Sequence, residues 1–217
     1  PADILKTTDV VAGGLAVESA KDFLIRLTLD MLGVPYRYVT GYRSSATARL
    51  ALERGEINLH AESTPSFFAV VEPGLVQTGK VIPLYYDPDC NGETFSTPRV
   101  MQGSSIAPFP EFYRSLKGRL PSGLRWDAYR TNLAVDAAML RTIVMPPGSP
   151  PAAVAALRTA LARLNNDKEY GEEALRTIQF VPHYVTGPDV NERVRPALTI
   201  SPSIRNFVLN YMKRPAK

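Results

Sequence analysis

The chain alternates between two hydrophobic periods. Residues 9–12 form a short apolar run that stops at Gly13-Gly14, a pair that lets backbone turn tightly or approach another molecule closely; the pattern predicts a strand and a special loop. From Ser19 the spacing becomes helical, with Phe23, Leu24, Leu27 and Met31 on one face and Lys21, Asp22, Arg26 and Asp30 on the other. Ser19 is placed as the N-cap, and Asp22 three residues on completes a capping-box-like pair. Gly33 ends this helix, and Tyr36-Arg37-Tyr38-Val39, rich in aromatic and β-branched residues, reads as a second strand. Thr40-Gly41-Tyr42 turns the chain, Ser44 or Ser45 caps a helix through Glu53, Gly55 closes it, and 56–60 return as a third strand. A β-α-β-α-β order with short loops favours a parallel sheet with helices on its faces.

Further along, Ala61-Glu62-Ser63-Thr64-Pro65 leads into an apolar helix at 66–71, which Pro73-Gly74 is expected to break. Residues 81–86 read as a fourth strand. Residues 87–102 carry turn formers without a period and are expected to be a surface excursion suited to packing against a neighbouring lobe. Helices are predicted at 108–120 and 126–139, and a strand at 140–145 that ends in Pro146-Pro147-Gly148-Ser149-Pro150. An alanine-rich helix at 151–164 begins with a proline, where proline is tolerated. A helix at 167–176, a strand at 180–184, a helix opening at Gly187-Pro188-Asp189 and an amphipathic helix at 201–213 complete the chain.

Composition narrows the choice of chemistry. The chain has 217 residues, 45% hydrophobic and 21% charged, enough to bury a core without a disulfide or metal. The net charge of +4 is spread along the sequence, and the basic stretches around Lys117 and Lys213 are too short for a nucleic-acid footprint, so a small anion fits better. Cys90 is the only cysteine and His60 and His183 the only histidines, which leaves no internal disulfide, no thiolate zinc site and no expected cofactor. No run of about 18 apolar residues could span a bilayer, so no membrane insertion is expected. The N-terminal Pro1-Ala2-Asp3-Ile4-Leu5-Lys6 lacks the apolar core of a signal peptide.

The loops after the first two strands share a design, a glycine-containing turn that opens a helix. Unpaired N–H groups and the helix dipole make such a terminus a ready seat for a carboxylate or phosphate. In an open parallel sheet both loops lie at the carboxyl ends of the strands, where ligands bind. Plain turn glycines remain an equal reading of Gly13, Gly14 and Gly41. No Gly-Lys-Ser/Thr follows the glycine pair and no third glycine completes a dinucleotide fingerprint. Neither a G-x-S-x-G elbow nor an H-E-x-x-H helix occurs, so the chain is not expected to be an enzyme. His60 with Glu62 is a weak catalytic alternative, His183 reads as structural, Trp126 and Tyr129 as core, and Arg43 as solvated.

Three blocks then follow in a familiar order: Val10-Val11-Ala12-Gly13-Gly14 with Ser19; Gly33-Val34-Pro35-Tyr36-Arg37-Tyr38-Val39-Thr40-Gly41; and Ala51-Leu52-Glu53-Arg54-Gly55-Glu56-Ile57-Asn58-Leu59. With the proline-rich linker at 145–150, the chain resembles the solute receptors of tripartite tricarboxylate transporters. The resemblance runs over about residues 10–59 and again from 140 to the terminus. It implies an α/β, periplasmic-binding-protein-like lobe at 1–139 and, at 140–217, the C-terminal part of a second lobe whose N-terminal portion would precede this sequence. It also implies a periplasmic Venus-flytrap protein, made with a signal in its precursor, that delivers a small carboxylate to membrane transporter subunits. Carried over residue by residue, ligand contacts fall on Gly13, Gly14, Val17 and Ser19, on Thr40, Gly41 and Tyr42, and on Glu62 or Ser63. Here the first loop reads Gly-Gly-Leu-Ala-Val-Glu-Ser, and Glu18 and Glu62 place acidic groups near an anion site, which would favour a ligand bearing an ammonium group. Two or three charged hydrogen bonds at about 1.5–3 kcal/mol each fall short of the roughly 8 kcal/mol of micromolar binding, so a tight site needs the second lobe. The runner-up from another class is the effector-binding domain of a transcription regulator with a similar fold.

Overall fold

Three parallel strands organise the N-terminal part of the chain. In the computed structural model, which describes residues 1–139, 142–178, 181–187 and 189–213, β1 (Val10–Gly13) lies between β2 (Tyr36–Val39) and β3 (Leu59–His60). Val10 pairs with Tyr36 and Gly13 with Val39 on one side, and Gly13 with His60 on the other. The three strands therefore end at the same level. Helices α1 (Ala20–Leu32) and α2 (Ser45–Glu53) are the crossovers that a parallel order requires. The expected α/β class with a small parallel sheet is what the chain adopts.

β3 is shorter than the strand expected at 56–60, and Asn58 just before it adds side-chain bonds to its own backbone bond, in which its N–H donates to the Val11 carbonyl at 3.0 Å. Its carboxamide accepts from the Val11 N–H at 2.8 Å and donates to the Asp9 carbonyl at 2.9 Å.

The polar side that the spacing of helix α1 predicts is not a solvent face. Nine of its 13 residues are buried, among them Asp22, which lies against the loop after β1 and Tyr38, and Arg26, and two later helices pack on it as well. These are α5 (Leu124–Met139) and α9 (Pro202–Met212). Tyr211 on α9 meets Phe23 edge-to-face at 5.5 Å and donates its hydroxyl to Asp30 at 3.0 Å. The Arg26 guanidinium sits 4.8 Å from the Tyr38 ring centre and 5.2 Å from that of Tyr211, so π faces offset part of its desolvation. Ser19 stands at the N-cap without a side-chain cap bond. Asp22 instead reaches back to accept from the Ala16 N–H and the Tyr38 hydroxyl. Gly33 ends the helix in the left-handed region with φ 73°, as its position predicts.

The middle of the chain departs from its pattern in three places. α3 (Thr64–Ser66) runs on as a π-helix, Phe67–Val76, through Pro73 and Gly74 rather than breaking there. In an α-helix the proline ring clashes with the carbonyl four residues back, and the wider π winding opens that turn. Residues 81–86 form no strand; Pro83 interrupts the run, and only Tyr86 makes an isolated parallel bridge to Pro108. The 87–102 excursion packs on its own chain. Its hairpin, β4 (Asp89–Cys90) with β5 (Phe95–Ser96), lies against α5, where Phe95 is 5.3 Å from Trp126 and Arg130 donates to the Gly92 carbonyl. Trp126 and Tyr129 are buried core residues, with α4 (Phe109–Lys117) supplying Phe109 and Phe112 beside them.

Beyond α5 burial drops. Residues 142–145 form no strand, and Ile143 and Val144 are exposed; positions 140 and 141 of that predicted strand lie outside the described residues. α6 (Pro151–Leu164) buries no residue and α7 (Lys168–Ile178) buries only Ala174. The strand expected at 180–184 is replaced at 181–184 by an irregular segment held by Asn165, which bonds both backbone groups of Tyr184; Phe180 lies outside the described residues. α8 (Asp189–Leu198) begins where Gly187-Pro188-Asp189 predicts a helix, although Pro188 itself lies outside the described residues.

Candidate functional site

The common strand level brings three loops to one edge. Residues 14–19 lead from β1 into α1, 40–44 from β2 into α2, and 61–63 from β3 into α3. The first two loops are zipped together by backbone: Gly14 N–H donates to Val39, Gly41 N–H to Leu15, and Tyr42 N–H to the Gly14 carbonyl. This accounts for amides that the sequence leaves free. Ser44 rather than Ser45 caps α2, in a complete capping box with Thr47.

The paired glycines are sized by their neighbours. A Cβ on Gly13 would lie 2.3 Å from an Ile57 methyl, and one on Gly14 would lie 2.4 Å from the Asp22 carboxyl carbon. Both glycines are buried, and the Gly13 carbonyl accepts from His60 Nδ1 at 2.8 Å. Their polar groups are thus engaged inside the protein. Val17 turns its side chain onto the core, Ser19 is half-buried, and Thr40 and Gly41 are exposed beside half-buried Tyr42. Gly41 needs its missing side chain for conformation, at φ 102°.

Glu62 is the centre of a cluster built from all three units. Arg49 of α2 forms an ion pair with it, Lys21 in the first turn of α1 lies 4.0 Å away, and the Ser63 N–H donates to it at 3.0 Å. Lys21 also donates to Ser45 Oγ at 2.7 Å and to the Ala61 carbonyl at 3.2 Å, tying both helix starts to the third loop. The Glu62 side chain is only 8% exposed, yet it is compensated by two cations. The acidic group expected to oppose an anion is therefore matched internally, with the buried Asp22 carboxylate as the other acid near His60. Ser63 Oγ bonds Ser66 at 3.2 Å, and Glu18 is exposed.

His60 lies beneath this cluster. Since Nδ1 faces a carbonyl, it carries the ring proton, and Nε2 is the bare nitrogen. Nε2 is buried without a hydrogen-bond partner, 4.0 Å from Glu62. Burial pushes the His60 pKa below its ordinary value, against the opposing pull of the Gly13 carbonyl. His183 is exposed, as is Arg43.

Loop order in the sequence locates Glu62 and Ser63 but passes over Lys21, Ser45 and Arg49. Ser45 and Arg49 stand four apart on α2, a spacing that places both on one helix face. Two cavities, of about 440 and 370 Å³, are lined by other residues: the first by Asp30, Tyr113, Arg125 and Phe207 among others, the second by the π-helix and residues 100–106. No group of histidine, cysteine and acidic side chains suited to a metal ion occurs among the described residues. No described helix is long and apolar enough to cross a membrane.

The fold and site define an α/β chain with a charged cluster at the carboxyl edge of a parallel sheet. Compared with protein-family models, curated proteins and solved structures, the chain matches none of them.

Proposed function

We propose that this chain binds a small organic carboxylate without transforming it, at the edge where β1, β2 and β3 end. The observation that carries this reading is the cluster of Lys21 and Arg49 around Glu62, two cations from two helices held over one carboxylate. Both helices start at this edge, so their N-terminal dipoles add positive potential there. An incoming carboxylate would take the place on Lys21 and Arg49 that Glu62 fills in the free chain. In a two-lobed receptor this edge is one jaw, and a second lobe supplies the remaining contacts and excludes water. The order of the sequence blocks supports a receptor of the tripartite tricarboxylate kind, working in the periplasm and handing its ligand to membrane transporter subunits.

Calorimetric titration of the chain with succinate, citrate and benzoate tests the reading. Lys21→Met and Arg49→Met should each weaken binding about 10- to 100-fold, the loss of one charged hydrogen bond. Circular dichroism should be unchanged. Full affinity in both variants would remove the site.

A further inference from the structure

His60 and Glu62 pose a problem of protons. With the Nδ1–H committed to the Gly13 carbonyl, Nε2 presents a lone pair 4.0 Å from the Glu62 carboxylate, and no proton lies between two acceptors. The imidazole is 3% exposed, and Nε2 has no hydrogen-bond partner among the described residues. An orphaned buried acceptor beside a carboxylate is unfavourable unless the charge is neutralised from elsewhere. Arg49 and Lys21 do this in the free chain. The charged groups facing the imidazole are Lys21 and Asp22 from α1 and Glu62 from the loop after β3; Arg49 of α2 acts through Glu62. The Asp22 carboxylate, which accepts from the Ala16 N–H and the Tyr38 hydroxyl, adds to the pull of Glu62 toward a charged imidazole.

We propose that carboxylate capture at this edge is proton-linked: the ligand draws Lys21 and Arg49 off Glu62, and His60 takes up a proton on Nε2 to hold the released Glu62. This rests on the receptor reading above and adds its regulation. The balance closes simply. A carboxylate brings one negative charge, buffer acid gives one proton, an N–H bond forms on Nε2, and no covalent bond of the ligand changes. The class favoured is an organic acid that remains ionised while His60 becomes charged. Since the complex favours the charged imidazole, affinity rises as pH falls and is lost as pH rises through the value His60 has in the complex. Burial supports the scheme by keeping His60 neutral until its partner is released.

Carbon-edited NMR titration of the two histidine rings in the full chain tests this, with His183→Gln to assign the resonances. Saturating succinate should raise the proton affinity of His60 about tenfold or more, as expected for a carboxylate freed beside it. Without any ligand, Arg49→Met should move His60 in the same direction, and the movement should vanish when Glu62→Gln is added. Arg49→Gln serves as the second variant should the methionine disturb α2. Succinate that binds without moving His60 overturns the coupling and leaves the receptor reading standing. An unaltered His60 in both Arg49 variants overturns it independently of ligand choice. If succinate, citrate and benzoate all fail to bind, the receptor reading falls and the coupling with it.

Discussion

Helices α1 and α6 have similar lengths, 13 and 14 residues, and both carry apolar stripes, yet one buries nine residues and the other none. Their compositions do not separate them, since α6 is rich in alanine and leucine. What separates them is position in the chain. α1 connects two adjacent parallel strands and must lie on the sheet, where α5 and α9 pack on it, whereas α6 follows a proline-rich linker with no strand among the described residues to return to. The candidate site grows from the first kind of helix. Lys21 is held in place because the turn after it is packed on every side, and that rigidity is what a preorganised binding edge requires.

The largest test of this contrast is Phe23→Ala. Phe23 is fully buried on α1 against Tyr211, and its loss should cost about 3–5 kcal/mol in urea unfolding. A cost below about 1 kcal/mol would mean that α1 is not the centre of the core.

The contrast also explains what the sequence made legible. The periodicities locate β1, α1, β2 and α2, because short βαβ units are local and their caps and glycines sit where the backbone needs them. Gly33 and Ser44 are examples. The burial of Arg26 is not legible, because Tyr211 that covers it lies more than a hundred residues away, and that of Asp22 is not, because helical spacing does not show that a loop folds back onto its carboxylate. For the same reason the sequence pattern marks only loops at the site, while its charged atoms come from Lys21 and Arg49, which look like ordinary solvated helix residues in isolation. The run at 81–86 misled through apolar content alone, since Pro83 denies it a donor.

Gly14→Ala should come next in size. The added methyl meets the buried Asp22 carboxyl group, and overpacking of this kind costs about 1–3 kcal/mol. Valine there would test packing rather than ligand contact, so Gly14 is unsuited to separating binding from folding. A neutral effect in chemical denaturation would mean that the loop relaxes away from Asp22.

The pH dependence of stability sharpens the comparison at the site itself. His60 has a lowered pKa in the folded chain, so between that value and the ordinary 6.5 the unfolded chain binds more protons. Its contribution is complete above 6.5, falls as pH drops through this window, and levels off below the folded-state value. The difference between wild type and His60→Gln in thermal denaturation should shrink across that interval on acidification. A difference that stays constant would show that His60 is not held neutral.

The smallest effect is expected on α6. Leu157→Ala should change stability by no more than about 0.5 kcal/mol, since this side chain is already exposed. A loss as large as that of Phe23→Ala would end the contrast by showing that α6 is packed in solution.

The most direct measurement is amide NMR of the full chain during titration with succinate, citrate and benzoate. Binding at the sheet edge predicts that shifts concentrate at residues 15–21, 40–49 and 60–63 for at least one of these acids, with α6 unmoved, and that Arg49→Met suppresses them. Shifts centred on α6 and α7, or shifts at the edge that persist unchanged in Arg49→Met, would contradict a carboxylate site built on Lys21, Arg49 and Glu62.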